Sequence, residues 1–200
     1  MKSKTLFSWL VNPFTHIAGA KALCIGLCIQ LITVFLGNMS GIHFDGAINL
    51  HIGGKIAFWE DLLLWGISVG SLILVLYAGG LIMTKKFRLI DMIGTILMAR
   101  TPLLIAVVAA FFIEPPSLDM TSLDMASLDK IIAESIAVLM DPIFIIFTIF
   151  SLILMIWHIA LLYNAYKVSV GLSVKEATIG IIIGIISAMI FSSILIMWLM

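Results

Sequence analysis

The chain has 200 residues, 62% of them hydrophobic, and its 11 basic and 11 acidic side chains leave no formal net charge. A soluble fold of this length must cover its surface with polar groups, and so few charged side chains cannot do so. A nucleic-acid partner would call for a basic excess, which the charge balance excludes. The composition therefore indicates an integral membrane protein that does not bind nucleic acid.

Five apolar segments are long enough to cross a bilayer, whose core of about 30 Å needs about 20 helical residues. The predicted spans are residues 17–36, 62–83, 89–113, 142–166 and 177–199. The first is too long for a removable signal sequence and no convincing cleavage site follows it, so we expect it to be retained. The prediction is an all-α membrane protein in which residues 1–200 form a single polytopic domain.

Local motifs mark where several of these helices begin and end. Asn12-Pro13 and Asp141-Pro142 each place a capping side chain before a proline, which is typical of the first helical position. "SVKE", residues 173–176, predicts a capping box that opens the fifth span, and Gly171 can end the fourth.

The distribution of basic residues predicts the orientation. With the N-terminus inside the cell, the inner segments hold seven Lys or Arg residues and the outer segments hold two. Basic residues collect in cytoplasmic loops, so we expect an inner-membrane protein with its N-terminus inside and its C-terminus outside. The inner residues are Lys2, Lys4, Lys85, Lys86, Arg88, Lys167 and Lys175.

Small residues recur at four-residue spacing in three spans and predict close helix packing. They are Ala18, Ala22 and Gly26 in the first span, Gly66 and Gly70 in the second, and Gly180, Gly184 and Ala188 in the fifth. Packing within one chain is the simpler interpretation, and a face for a homo-oligomer is the alternative.

The first outer loop lacks a helical period. Residues 47–52 and 55–58 flank Gly53-Gly54, which predicts a short hairpin with its turn at the two glycines. His43, Asp45 and His51 could supply ligands to a metal ion, but a fourth ligand is missing and their spacing is loose. Structural or surface roles for these three residues are therefore favoured.

The second outer loop contains "SLDMTSLDMASLDK", in which a five-residue unit repeats from residue 117 to residue 130. Five residues do not match the helical period, so we interpret the repeat as a duplication that lengthens a loop. From residue 127 onward apolar residues fall on one side, which predicts a short amphipathic helix on the outer membrane surface. Those residues are Leu128, Ile131, Ile132, Ile136 and Leu139.

Arg100 is a charged residue about 11 positions into the third span, with Pro102 two residues on. Its insertion cost of about 2.5–3.5 kcal/mol is offset by the apolar residues of the same span. We expect the side chain to lie between helices and to lean toward the inner boundary. Asp91 falls on the opposite face, so Glu176, Asn164 or carbonyls freed by Pro102 are the expected partners.

Arg100 and His158, which lies within the fourth span, are candidates for either a structural or a functional role. The structural role of Arg100 would be to hold helices together, and that of His158 a hydrogen bond between helices. No nucleophile–base pair, metalloprotease motif or phosphate-binding loop is visible, so we expect neither catalysis nor a cofactor. Cys24, Cys28 and the 12 methionines lack the spacing of a copper site.

Four stretches resemble the Yip (Ypt-interacting protein) membrane family, and they extend over residues 12–177. They are "NPFTHIAG", "HFDG", "RLIDMIGTILMARTP" and "WHIALLYNAYKVSVGLSVKEA", and the likeness is to the bacterial members. The resemblance implies a five-span membrane protein without enzymatic activity, with Asp91, Gly94, Arg100 and Pro102 matching the family pattern. Eukaryotic relatives bind Rab-type GTPases through a long cytosolic N-terminal region. Here only about a dozen residues precede the first span, which puts GTPase binding in doubt.

The first functional hypothesis is a non-catalytic protein that organises or recruits partners at the cytoplasmic membrane. Its protein contacts would be the basic inner loops, although these residues can also serve only to fix topology, and its surroundings would be membrane lipids. The alternative is a small transporter or channel component built around Arg100 and His158. A third class, a metal-dependent membrane enzyme, would use His43 and His51 to retain zinc or copper.

Overall fold

The computed structural model describes residues 6–84, 86–113, 136 and 140–199. In this part of the chain five helical stretches are long and apolar enough to cross a membrane, which confirms the five predicted spans. The protein is an all-α polytopic membrane protein. The spans are α2 (Gly19–Ser40), α3 (Phe58–Met83), α4 with α5 (Leu89–Ala99 and Thr101–Ala110), α6 (Pro142–Val170) and α7 (Val174–Leu199).

The third span is the central one. Within its most apolar window 61% of the residues are buried, against 22–33% in the other four spans. It packs against α2 and α6, α6 packs against α7, and α7 packs against α3. Arg100 separates α4 from α5 with φ −81° and ψ 5°, outside the helical region. A charged residue that interrupts the most enclosed span is thus surrounded by protein.

The predicted caps are confirmed at the fourth and fifth spans. Asp141 Oδ1 accepts from the Ile143 N–H at 2.9 Å, and Gly171 ends α6 with φ +75°. At the start of α7, Ser173 and Glu176 bond reciprocally, as a capping box requires. These motifs act within one turn, so the sequence is enough to place them.

The prediction for Asn12-Pro13 is confirmed for the place of Asn12 before a helical turn and of Pro13 at its start, but it is wrong for the capping side chain. Pro13 opens a 3₁₀ turn, Pro13–Thr15, rather than the first span, and the Asn12 side chain makes no capping hydrogen bond. The first span begins six residues later at Gly19, after Ala18. Before the turn a short helix, α1 (Leu6–Val11), contacts α6.

Glycines set the closest helix crossings. A Cβ on Gly26 of α2 would lie 2.7 Å from Leu97 Cβ, and one on Gly94 of α4 would lie 2.6 Å from the Leu23 backbone nitrogen. Gly180 and Gly184 of α7 similarly contact Tyr166 and Leu76. The predicted small-residue faces therefore pack within the chain at Ala22 and Gly26 of the first span and at Gly180, Gly184 and Ala188 of the fifth. Ala18 is exposed and precedes α2, so its predicted place on that face is wrong.

Packing of this kind within the chain is not found for the second span. Gly66 and Gly70 are exposed, and a Cβ on either would meet no atom within 4 Å. The buried side of α3 instead carries residues such as Leu64, Ser68 and Leu72. Equal spacing does not distinguish a helix face that meets a neighbour from one that faces lipid.

The first loop (residues 41–57) contains a hairpin, but not the predicted one. β1 (Ile42–His43) pairs antiparallel with β2 (His51–Ile52), with His43 opposite His51. Gly53-Gly54 follows β2 instead of forming the turn, and Gly53 N–H donates to the Gly41 carbonyl at 2.9 Å. Residues 44–50, which connect the two strands, include the segment that enters the bundle.

The predicted duplication at 117–130 lies outside the described residues. Most of the predicted amphipathic helix lies there too. Of that helix the structure describes Ile136, an exposed helical residue whose carbonyl accepts from the exposed Met140 N–H at 3.0 Å.

Candidate functional site

The first loop enters the bundle as a re-entrant segment. Phe44 and Ala47 are 2% and 0% exposed. Ser68 Oγ donates to the Phe44 carbonyl at 2.9 Å. Because Ser68 lies ten residues after the start of α3 at Phe58, the loop reaches about 15 Å along that helix. Irregular backbone at this depth requires hydrogen-bond partners within the protein.

Arg100 supplies one of those partners. Its Nη1 donates to the Ala47 carbonyl at 2.7 Å, and its Nε donates to Gln30 Oε1 of α2 at 3.3 Å. The side chain is fully buried at 0% exposure. Arg100 therefore joins the first loop, the first span and the third span.

The expected burial of Arg100 between helices is confirmed, but its expected partners are wrong. Its partners are the carbonyl of Ala47, in the loop that connects α2 to α3, and the side chain of Gln30 in α2. The helix is broken at Arg100, and the re-entrant loop offers a carbonyl that no local pattern could reveal.

Gln30 has a fixed orientation. Its Oε1 accepts from Arg100 Nε and also from Trp65 Nε1, at 3.3 Å each. Both of these nitrogens can only donate, so the amide atom between them must be the oxygen. The amide nitrogen of Gln30 then has no acceptor among the described residues, and neither does Arg100 Nη2.

His158 lies in the same region and is fully buried. The Arg100 guanidinium is close enough for its charge to act on the imidazole. The described residues offer no hydrogen-bond partner to either ring nitrogen of His158 or to the buried Ser71 hydroxyl of α3. The predicted interhelical hydrogen bond of His158 is therefore not formed with this part of the chain.

A second polar cluster anchors the first loop to α3. His43 Nδ1 lies 2.6 Å from Asp61 Oδ1, and His43 Nε2 lies 2.8 Å from the Gly54 carbonyl. Asn38 donates to Asp61 Oδ2 at 2.6 Å, and both His43 and Asp61 are buried. The carbonyl can only accept, so Nε2 donates and one proton lies between Nδ1 and Oδ1.

The geometry does not assemble the three candidate metal ligands. Both ring nitrogens of His43 are engaged, while Asp45 lies 3.9 Å from His51 in an exposed pair. In the described ranges no three His, Cys, Asp or Glu side chains come together in a way that could hold a metal ion.

The remaining candidates have local roles. Asn164 donates to the Val11 carbonyl of α1 at 3.1 Å, and Glu176 caps its own helix. Asp91 lies 3.9 Å from the exposed Arg88, which agrees with its exclusion as a partner of Arg100. Pro102 is buried in the first turn of α5. None of these three polar side chains belongs to the Arg100 centre, by which we mean Arg100, Gln30 and His158.

Gln30 is the site residue that the sequence interpretation missed. Gln30 is the one amide side chain within the predicted first span. In the predicted third span the charged side chains are Arg100 and Asp91, and Asp91 lies near the start of the span. Pairing polar residues across apolar spans would have suggested a contact between Gln30 and Arg100, since lipid cannot satisfy either group. Ala47 gave no such signal, because its backbone carbonyl makes the contact.

Comparison with known proteins adds no relative to this picture. No protein-family model, no curated protein and no solved structure matches the chain.

Proposed function

We propose that the protein is a non-catalytic, Yip-like membrane protein that organises or recruits partners at the cytoplasmic membrane. The observation that carries this proposal is the use of Arg100 as a clasp on the re-entrant loop. Phe44 and Ala47 lie buried in the bundle, so the re-entrant loop occupies part of the interior in which a solute path would run. We therefore assign the recruitment of partners to residues at the surface of the protein.

The basic loops supply such groups. Lys86, Arg88 and Lys175 are exposed, so they are available to partner proteins or anionic headgroups. Charges of this kind steer association with acidic surfaces. They would lie on the cytoplasmic side in the orientation that the basic residues predict.

The experiment compares native complexes isolated in mild detergent. Replacing Lys86 and Arg88 by Gln should remove a specific partner, while Lys55→Gln in the first loop is the matched control at another exposed lysine. Labelling of the termini in intact cells must show an unchanged orientation, since these residues also set topology. An identical set of partners in the double variant would contradict the proposal.

The second candidate is a small transporter or channel component built around Arg100 and His158. The unpartnered donors at this centre favour it. Solute uptake and proton flux in vesicles distinguish the two candidates. Flux that Arg100→Ala abolishes in a folded protein supports transport, whereas loss of folded protein alone supports the clasp.

A further inference from the structure

The polar atoms without a hydrogen-bond partner at the Arg100 centre can all belong to hydrogen-bond donors. Arg100 Nη2 and Gln30 Nε2 are strict donors, and both are buried without an acceptor among the described residues. The Gln30 oxygen is held against the guanidinium, so the amide nitrogen of the same group lies beside it. His158, on which the Arg100 charge acts, adds ring nitrogens that are also without a partner, and one of them can donate.

The charge at this centre is not balanced by the chain. In the described ranges no carboxylate lies within 4.0 Å of the Arg100 guanidinium; its bonded partners are a carbonyl and an amide oxygen. Buried charges in proteins are normally paired, because an isolated ion in a low-dielectric interior is costly. Donors without acceptors around an uncompensated cation are the chemistry of an anion site.

Burial limits the size of the ligand. Arg100, Gln30 and His158 are each 0% exposed, so the group they face cannot have a bulky body reaching the surface. A monatomic anion needs little more room than a water molecule. Water would satisfy some donors but would leave the positive charge uncompensated.

We propose that Arg100, Gln30 and His158 bind a small inorganic anion of the halide class inside the helix bundle. The anion accepts from Arg100 Nη2 and Gln30 Nε2, while Nη1 and Nε keep their bonds to Ala47 and Gln30. The anion thereby neutralises the charge of the Arg100 guanidinium, which holds the re-entrant loop through the Ala47 carbonyl. The site does not depend on partner recruitment, nor on transport of the ion across the membrane.

The first measurement uses the whole protein purified in detergent without chloride. Sodium chloride or bromide should raise the unfolding temperature in a saturable way, relative to sodium gluconate at equal ionic strength. Equilibrium dialysis with radioactive chloride should give one bound ion per chain. Equal stability in chloride and gluconate, together with no saturable chloride binding, would overturn the proposal.

Gln30→Glu identifies the site. The carboxylate keeps an acceptor for Arg100 Nε and Trp65 Nε1, and it replaces the donor Nε2 by an acceptor for Nη2. We expect this variant to be as stable without chloride as the wild type with it, and to bind chloride at least about tenfold more weakly.

Asn49→Asp is the matched control, because it makes the same amide-to-carboxylate change at an exposed position of the first loop. It should respond to chloride as the wild type does. A Gln30→Glu protein that binds chloride with wild-type affinity would refute the assignment to this centre. If that variant cannot be purified, His158→Ala replaces it, and unchanged chloride binding there would refute the assignment equally.

Discussion

The crossing of α2 and α4 at Gly26 should be highly sensitive to a single added methyl group. In Gly26→Ala the new Cβ would lie 2.7 Å from Leu97 Cβ and 2.9 Å from the Met98 backbone nitrogen. Ordinary contacts between carbon atoms are about 3.5–4.0 Å, so the two helices must separate by about 1 Å. The backbone atom of Met98 cannot give way by changing a rotamer.

The magnitude follows from opposing contributions. Alanine favours the helix over glycine by about 1 kcal/mol, whereas overpacking at such a contact costs about 1–3 kcal/mol. Gln30 lies one turn beyond Gly26, so separation also weakens its bond to Arg100 Nε, which is already 3.3 Å long. A hydrogen bond to a charged group contributes about 1.5–3 kcal/mol. We expect a net loss of about 1–3 kcal/mol.

Gly66→Ala is the matched control in α3, since its new Cβ would meet nothing within 4 Å. It should leave stability unchanged or raise it by up to about 1 kcal/mol. The assay is reversible unfolding in mixed micelles, followed by tryptophan fluorescence and circular dichroism. If Gly26→Ala is as stable as Gly66→Ala, the close crossing of α2 and α4 is refuted.

Three further substitutions test other contacts in the same unfolding assay. His43→Ala leaves the buried Asp61 carboxylate with only its bond from Asn38 and should cost up to about 3–5 kcal/mol. We expect faster protease cleavage of the first loop, and unchanged cleavage would contradict the anchor. Asn164→Leu removes the hydrogen bond to the Val11 carbonyl and should lower the free energy of unfolding by about 1 kcal/mol. Proteases should then cleave the N-terminal segment faster, and unchanged cleavage would argue against that contact. Gly171→Ala forces a Cβ into a backbone with φ +75° and should cost about 1 kcal/mol, whereas Gly54→Ala, with open space around it, should cost less.

The parts of the fold that could be predicted are those fixed by composition or by neighbouring residues. A run of apolar residues reports a span because the bilayer sets its length, and the caps at Asp141 and Ser173 act within one turn. Both the apolar runs and the caps involve residues that are close together in the sequence, so the sequence alone is enough to recognise them.

The re-entrant loop depends on contacts between distant parts of the chain, so the sequence does not reveal it. The burial of Phe44 and Ala47 requires donors from α3 and from the break at Arg100, which lie 24 and 53 residues further along the chain. The partner of Arg100 is a backbone carbonyl, which every residue possesses. Residue identity therefore cannot point to the Ala47 carbonyl, and the sequence suggested Glu176, Asn164 or carbonyls near Pro102 instead.

The contact between α1 and α6 fixes an order of events during biosynthesis. Trp157 Nε1 donates to the Leu10 carbonyl at 2.9 Å, across 147 positions of the chain. Translation proceeds from the N-terminus, so the opening segment is made long before its acceptor site on the fourth span exists. It cannot form this hydrogen bond until Trp157 of that span has been made. Chains that stop before residue 157 leave Leu6–Val11 without this contact, so its docking reports that the fourth span has been made.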